Sequence, residues 1–204
     1  MIWKWGGGGC FAESTKNIKK KIDNIIRFDV TKLKFLPIIN TKAFYIFTSK
    51  NGIKDYLNIF NEFNYDILIW NKTNPTPFTH GSFLPCVEYM LYFSKRGRIW
   101  NNSLKPTSVY SKVYTSPKEV ATKEAEGKVH PTVKPQQLLQ DKLRISSNEN
   151  GIVLDIFGGS GSTLIACEHL NRTCFMMELD PKYCDVIIKW WEDFTGEKAV
   201  LINE

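Results

Sequence analysis

Apolar and polar residues follow two distinct patterns along this chain, and together the patterns predict an α/β fold. Short runs rich in aromatic and β-branched residues are typical of strands. Stretches with an apolar residue at every third or fourth position are typical of helices that bury one face. The predicted strands span Ala43–Thr48, Tyr65–Trp70, Glu88–Phe93, Ile152–Asp155 and Thr173–Met177, with a short edge strand at Ala199–Ile202. The predicted helices begin after Ser14 and at Val30, Asn51, Gln136, Leu164 and Asp185.

The order of these elements predicts how the strands pair. Strand, helix and strand follow one another over residues 43–70, and this order favours parallel neighbours in a sheet that is covered on both faces. A second unit of the same kind follows over residues 152–177. We therefore expect a three-layer, doubly wound fold of the Rossmann-like type, in a single domain of 204 residues.

A glycine-rich turn follows the first strand of the last predicted pair and leads into the helix between the two strands. The strand that begins at Ile152 ends on Asp155, and the next strand is followed by Glu178. Between them, glycines at positions 158, 159 and 161 permit a sharp turn and a close approach of the backbone to a ligand. The whole is the strand-turn-helix-strand unit that binds nucleotides in doubly wound proteins.

Three ligand classes use such a turn, and the residues around it separate them. A phosphate-binding loop requires a lysine after the last glycine, where this chain has Ser162 and Thr163. Dinucleotide binding favours a third glycine at position 164, which is a leucine here. S-adenosylmethionine carries no phosphate and requires neither feature. Glu178 is placed to accept its two ribose hydroxyls and Asp155 to face its ammonium group. A dinucleotide and a purely structural turn remain open alternatives.

Two flanking segments extend the pattern. His130-Pro131-Thr132-Val133-Lys134-Pro135 precedes the turn by about one helix, and Glu178-Leu179-Asp180-Pro181-Lys182-Tyr183 follows it. In this order the motifs over residues 44–195 resemble the β-class amino-methyltransferases of DNA, of phage and bacterial type. The turn matches the family pattern at six positions and departs conservatively at Ile156 and Ser162. The matching residues are Asp155, Phe157, Gly159, Ser160, Gly161 and Thr163.

The resemblance implies a function and a cofactor site. The family transfers a methyl group from S-adenosylmethionine to adenine N6 or cytosine N4 in double-stranded DNA. Lys134 would pair with the methionine carboxylate, and the loop of His130 would touch the cofactor unless this histidine is structural. The implied cofactor-binding residues are His130, Lys134, Asp155, Phe157, Gly159, Ser160, Gly161, Glu178 and Asp180.

Charge and composition indicate the binding partners and the cellular location of this protein. Residues 1–150 hold 23 basic and 12 acidic side chains, whereas residues 151–204 hold 4 and 9. The excess of basic residues over positions 1–150 favours contact with a polyanion such as DNA. Solvated surface lysines alone also produce such an excess. The five cysteines form no C-x-x-C pair, which favours reduced thiols and no metal site. We expect no membrane anchor, a monomer or homodimer, and a cytoplasmic location in a bacterial or phage-infected cell.

A basic segment is the candidate for DNA recognition. Residues 95–129 lack apolar periodicity and carry eight basic and three acidic side chains, with aromatic residues interspersed. Cationic groups suit the phosphate backbone, and aromatic rings suit an unstacked base. A polar loop without a binding role is the alternative. The predicted DNA-binding residues are Lys95, Arg96, Arg98, Lys105 and Lys112.

The family motif that binds the target base is missing from this chain. Members use Asp/Asn/Ser-Pro-Pro-aromatic to accept hydrogen bonds from the amine and to stack on the flipped base, and no such tetrapeptide occurs here. One interpretation is a truncated reading frame, in which an N-terminal strand and the tetrapeptide lay upstream and the fold is incomplete. The other is that Asn74 and Phe78 of an N-P-T-P-F loop have taken over as acceptor and stacking ring.

These interpretations leave several functions open. We expect weak cofactor binding and poor methylation by the chain alone, with rescue by an upstream Asp-Pro-Pro-Tyr. The first rival is a catalytically inactive relative that still binds cofactor or DNA. The second is a nicotinamide oxidoreductase, which Leu164 disfavours. Methylation of RNA or protein is a third.

Overall fold

The computed structural model contains two sheets and four helices over the part of the chain that it describes, which is Thr31, Leu33 and residues 41–71, 86–101, 109–110 and 134–202. A four-stranded sheet has the order β1-β3-β2-β4, and β5 pairs with β6 in a two-stranded sheet. The strands are β1 Ala43–Thr48, β2 Asn64–Asn71, β3 Val87–Ser94, β4 Val109–Tyr110, β5 Ile152–Asp155 and β6 Thr173–Met176. The helices are α1 Ile53–Ile59, α2 Gln136–Ser146, α3 Ser162–Glu168 and α4 Pro181–Thr195.

Strand pairing differs from the sequence prediction. β1 and β2 are not neighbours, because β3 lies between them and is antiparallel to both. The expected parallel pairing of β1 with β2 is therefore wrong, although the two strands do run in the same direction. Residues 90–94 of β3 are buried on both faces, as a central strand requires. The parallel partner of β2 is the short β4, through Ile69 and Trp70.

The core continues across both sheets. On one face, Tyr45 and Phe47 of β1 belong to a buried cluster with Leu139 of α2 and Val153 of β5. On the other face, Phe44 belongs to a second cluster, which consists of Leu33, Phe44, Ile46, Tyr56, Phe60, Phe63, Leu91 and Phe93 and which we call the aromatic cluster. The sheet thus has α2 on one side and α1 on the other, which confirms the three-layer α/β fold.

Most predicted elements are present with shifted ends. Helix α4 begins four residues before the expected Asp185, because the Asp180 carboxylate caps it by accepting from Lys182 N at 3.0 Å and Pro181 suits the first turn. Helix α1 is shorter than the expected helix at Asn51. Thr31 and Leu33 have 3₁₀ geometry, and the helix predicted after Ser14 lies outside the described residues.

The edge strand predicted at Ala199–Ile202 is wrong. These residues have no regular structure, and Val200, Leu201 and Ile202 are exposed. The carboxylate of Glu192 accepts hydrogen bonds from Ala199 N and Lys198 Nζ, both at 3.0 Å. These bonds connect Lys198 and Ala199 back to α4.

The strand directions define two edges of the four-stranded sheet. β1 ends at Thr48 and β2 at Asn71, beside the start of β3, and we call this side the carboxyl edge. Ser94, at the end of β3, lies beside the starts of β1 and β2 at the opposite, amino edge. Parallel α/β sheets hold their ligands at the carboxyl ends of the strands.

Candidate cofactor-binding site

The glycine-rich turn over residues 156–161 is built from glycines with different physical requirements. Gly159 and Gly161 have φ values of +55° and +86°, in the left-handed region that side chains with a β-carbon avoid. Gly158 is required for space instead. A β-carbon there would lie 2.8 Å from Cγ and Sδ of Met176 and 3.1 Å from Cδ1 of Ile187. The turn therefore packs closely against β6 and α4.

Backbone hydrogen bonds attach this turn to the end of β6. Met177 N donates to Asp155 O at 2.8 Å, and Gly158 N donates to Met177 O at 2.8 Å. These bonds extend the pairing of β5 with β6 by one step, so Asp155 and Glu178 lie at adjacent strand ends. Two carboxylates thus flank one glycine-rich turn, as the sequence predicted.

Asp155 is almost completely buried, with 2 % of its surface exposed. Burial raises its pKa from 3.8 to about 6, and hydrogen bonds from the Thr163 hydroxyl and from Phe157 N oppose the rise. The bond from Phe157 N to Oδ1 measures 3.0 Å. A cationic ligand beside this carboxylate would favour the ionised form and be bound more tightly by it.

Glu178 is held by backbone donors. Its Oε2 accepts from Gly159 N at 2.7 Å, across the turn. Its Oε1 accepts from Leu179 N at 2.8 Å and from Asp180 N at 3.0 Å. The carboxylate is consequently fixed in place at the mouth of the turn before any ligand arrives.

The start of α3 completes the turn. The hydroxyls of Ser160 and Ser162 lie 3.0 Å apart and both side chains are buried. Gln136, the first residue of α2, donates from Nε2 to Ser162 O at 3.0 Å. Phe157 packs against the aromatic cluster. The side chains of Ser160 and Phe157 therefore support the turn by packing against the rest of the protein.

Lys134 forms an ion pair within the chain, and its predicted contact with the methionine carboxylate stays a prediction. Its Nζ lies 3.1 Å from Oε2 of Glu88, which is near the start of β3. The ammonium group also lies 5.0 Å from the Phe47 ring centroid and 5.7 Å from that of Trp70. Lys134 thus binds the carboxyl edge of the four-stranded sheet, while Gln136 two residues later binds α3. This places the carboxyl edge beside the glycine-rich turn.

Sequence reasoning missed Glu88 and Gln136. The sequence pattern predicts Glu88 only as a strand residue, although a charged residue at the start of an otherwise apolar strand indicates a partner. Asp180 was predicted to bind cofactor, and in the structure its carboxylate caps α4. Asp180 also donates its backbone N–H to Glu178, which ties it indirectly to the site.

Of the remaining predicted site residues, those within the described ranges do not lie at the glycine-rich turn. Lys95 lies at the amino edge, 3.5 Å from Glu62 and with its ammonium 4.2 Å from the Phe63 ring centroid. The guanidinium carbon of Arg98 lies 5.4 Å from the ring centroid of Trp100. Arg96 lies between Lys95 and Arg98 in the chain. Six residues of β3 separate this edge from Glu88, or about 20 Å. His130, Asn74, Phe78, Lys105 and Lys112 lie outside the described residues.

No group of three or more His, Cys, Asp or Glu side chains in the described ranges is arranged to hold a metal ion. No helix in these ranges combines the length and the apolar character needed to cross a membrane.

The comparison with protein families identifies the relationship. The sequence matches the family model described as DNA methylase, of the N6/N4 type, over residues 28–189. This chain belongs to that DNA methylase family. The match includes the glycine-rich turn, both flanking carboxylates and the Lys134 segment, and it confirms the resemblance found in the sequence.

Individual relatives of this chain are type II methyltransferases. M.HinfI from Haemophilus influenzae is 35% identical over 134 residues, which cover 60% of this chain and 37% of the relative. M2.MboI from Moraxella bovis is 28% identical over 167 residues, which cover 78% of this chain and 58% of the relative. The chain thus spans less than two thirds of the length of these relatives.

Solved structures confirm the fold. The M1.HpyAVI–SAM complex has a TM-score of 0.62 at 24% identity and covers 93% of this chain and 98% of its own. The PvuII DNA methyltransferase, described as cytosine-N4-specific, has a TM-score of 0.65 at 16% identity and covers 91% of this chain and 77% of its own. This chain therefore has the Rossmann-like methyltransferase fold.

Proposed function

We propose that this chain binds S-adenosylmethionine at the glycine-rich turn and serves the transfer of its methyl group to adenine N6 or cytosine N4 in double-stranded DNA. The observation that carries the proposal is the placement of two carboxylates, Asp155 and Glu178, on either side of the turn. A dinucleotide would bring a negatively charged pyrophosphate between these groups, whereas a sulfonium amino acid brings cationic groups. The cofactor supplies the activated methyl group.

The chain's own residues would hold that cofactor by three kinds of contact. Gly159 and Gly161 let the backbone approach closely. Asp155 would face the ammonium group, and Glu178 would accept from the ribose. Lys134 remains a candidate for the methionine carboxylate and shares its charge with Glu88, while Phe157, Ser160 and Asp180 support the turn and His130 stays a prediction.

The acceptor base would bind at the carboxyl edge of the four-stranded sheet. Lys134 and Gln136 connect this edge to the glycine-rich turn, so a base there lies near the methyl donor. The target amine needs a hydrogen-bond acceptor and a stacking ring. Asn74 and Phe78 follow β2, which ends at this edge, and they remain the weak candidates beside an upstream Asp-Pro-Pro-Tyr.

DNA contacts would follow from the same geometry. β4 pairs with β2 through Trp70, and β2 ends one residue later at the carboxyl edge. β4 therefore ends at the carboxyl edge, and DNA binding by Lys112 stays a prediction. Lys95, Arg96 and Arg98 lie at the amino edge, so they would reach only DNA that wraps around the sheet. Lys105 stays a prediction, as does the single-domain description with its basic segment at 95–129.

Methyl transfer to DNA tests the proposed function. The chain is incubated with methyl-labelled cofactor and double-stranded DNA, and the digested nucleosides are identified by mass spectrometry. We expect weak formation of N6-methyladenine or N4-methylcytosine, and stronger formation once Asp-Pro-Pro-Tyr and its strand are added upstream. Loss of the chain's own activity in Asn74→Ala would instead assign the amine contact to that loop. Label found only in RNA or protein would contradict a DNA substrate.

We also propose a setting for this activity. The relatives are type II methyltransferases of bacteria, which supports a role in restriction–modification within the cytoplasm of a bacterial or phage-infected cell. A monomer or a homodimer would suit a domain of this size. Light scattering after size-exclusion chromatography distinguishes the two.

A further inference from the structure

The carboxylate of Glu178 already accepts three hydrogen bonds from the backbone, which leaves too few positions for two ribose hydroxyls. An ionised carboxylate offers about four lone-pair positions for hydrogen bonds. Three are taken by backbone N–H groups, two on Oε1 and one on Oε2. One position, on Oε2, is left for a ligand.

The two bonds to Oε1 come from the residues that directly follow Glu178. Leu179 N and Asp180 N converge on this oxygen at 2.8 and 3.0 Å. Asp180 is fixed because its own carboxylate caps α4, and Pro181 has no N–H to offer in exchange. Oε1 can turn towards a ligand only if both backbone donors lose their acceptor, which is unfavourable for each donor that is not rehydrated.

The bond to Oε2 is held from the other side. Gly159 N points at this oxygen because the turn is fixed by Gly158 N to Met177 O, at 2.8 Å, and by Gly161 N to Gly158 O, at 2.9 Å. Ile187 packs against Gly158 and Gly161 and prevents the turn from backing away. The geometry that makes the turn rigid thus also keeps Gly159 N on Glu178.

We propose that Glu178 accepts one ribose hydroxyl of the nucleoside and not two. The second hydroxyl then remains hydrated and contributes little to the affinity. The inference rests on the proposed function, because it concerns how the same site reads the sugar. It predicts unequal recognition of the two hydroxyls, whereas a carboxylate free on both oxygens would read them as a pair.

Calorimetric titration with three ligands tests this directly. S-adenosylhomocysteine, which lacks only the methyl group and the sulfonium charge, is compared with its 2′-deoxy and 3′-deoxy analogues. We expect one deoxy analogue to bind about tenfold more weakly, as the loss of a hydrogen bond to a charged group requires, and the other to change by no more than about threefold. Comparable tenfold losses with both analogues, or no loss with either, would overturn the inference alone. No heat with the parent compound would overturn the proposed function as well.

A variant of Glu178 tests whether this residue recognises the ribose or only supports the turn. Glu178→Gln leaves one oxygen to serve three backbone donors, so we expect weaker binding of all three ligands and loss of the difference between the deoxy analogues. Glu197→Gln, which changes an exposed carboxylate outside the site, should keep both the affinity and the difference. If Glu178→Gln lowers affinity while the ratio between the analogues persists, Glu178 only supports the turn and the inference fails.

Discussion

The four-stranded sheet and the unit formed by β5, α3 and β6 differ in how they are stabilised. Every residue of β1 is buried, and Phe44 contacts the rings of Phe60, Phe63 and Phe93 at centroid distances of 4.9 to 5.0 Å. In β6, by contrast, Phe175 is 56% exposed, and Met177 just beyond it is 62% exposed. Hydrophobic burial is therefore concentrated in the four-stranded sheet.

The β5-α3-β6 unit contains residues of the proposed cofactor site that lower the stability of the fold. It contains a buried carboxylate, Asp155, and two glycines in the left-handed region. Burying a charged group and fixing flexible glycines both oppose folding. Contacts from α2 and α4 compensate, since Leu139 packs with Val153 and Ile187 packs on the turn. The comparison teaches that the site depends on a scaffold that lies largely outside it.

The largest expected effect breaks the scaffold. Phe44→Ala removes the ring at the centre of the aromatic cluster and should lower the free energy of unfolding by about 3–5 kcal/mol. The matched change Phe175→Ala, in the β5-α3-β6 unit, should cost less than about 1 kcal/mol because its ring is already half in water. Urea denaturation of both variants measures the difference. Equal losses would show that burial is spread evenly over the two regions.

The next effect concerns the turn itself. In Gly158→Ala the new methyl group meets Met176 and Ile187 at 2.8 to 3.1 Å, so we expect a loss of about 1–3 kcal/mol in stability and a clear loss of affinity for S-adenosylhomocysteine. Gly97→Ala is the control. Its φ of +84° strains an alanine, yet open space surrounds the site, so stability should fall by about 1–2 kcal/mol with affinity unchanged. Retained affinity in Gly158→Ala would contradict the close packing of the turn.

Acid should weaken cofactor binding through Asp155. Its pKa is raised to about 6 by burial, so a cationic ligand must displace a proton below that pH. Affinity for S-adenosylmethionine should be constant above about pH 6.5 and fall by up to about tenfold per unit below pH 6. Asp155→Asn should bind weakly without this slope, whereas Asp193→Asn, an exposed control, should keep it. Calorimetry at several pH values measures the effect, and a flat profile for the natural chain would contradict it.

The same pKa fixes the sign of a stability change. Because the pKa of Asp155 is higher in the folded chain than its ordinary value of 3.8, the folded state takes up a proton first as the pH falls. The contribution of Asp155 to the free energy of unfolding therefore decreases as the pH rises from about 4 to about 6. Asp155→Asn should flatten the pH dependence of denaturation in this interval.

The smallest effect concerns a buried lysine of α2. Burial lowers the pKa of Lys142 to about 7, although Asp141 raises it in part. Since the unfolded chain keeps its proton up to about 10.5, this group makes the folded chain less stable at pH 6 than at pH 9. Lys142→Met, of similar volume, should raise stability by about 1 kcal/mol at pH 6 and by less at pH 9. Thermal unfolding at both pH values checks this, and a loss of stability at pH 6 would contradict it.

Local sequence patterns predicted what is local in this structure. The glycine-rich turn, its two carboxylates and the bounds of β1 and β5 follow from residues that are close in the chain. The place of β3 between β1 and β2 does not, because apolar runs mark a strand as buried without naming its neighbours. Lys134 and Glu88 are 46 residues apart, and no periodicity connects them. The three N–H donors on Glu178 likewise depend on the folded path of the turn.

The most direct test of the central claim is hydrogen–deuterium exchange of the chain with and without S-adenosylhomocysteine. If the turn between β5 and α3 holds the nucleoside, peptides that contain Gly158–Ser162 and Glu178–Asp180 should exchange more slowly in its presence, and those of β3 should change little. Unchanged exchange in both peptides under saturating ligand, or protection confined to the four-stranded sheet, would contradict the assignment of the cofactor site.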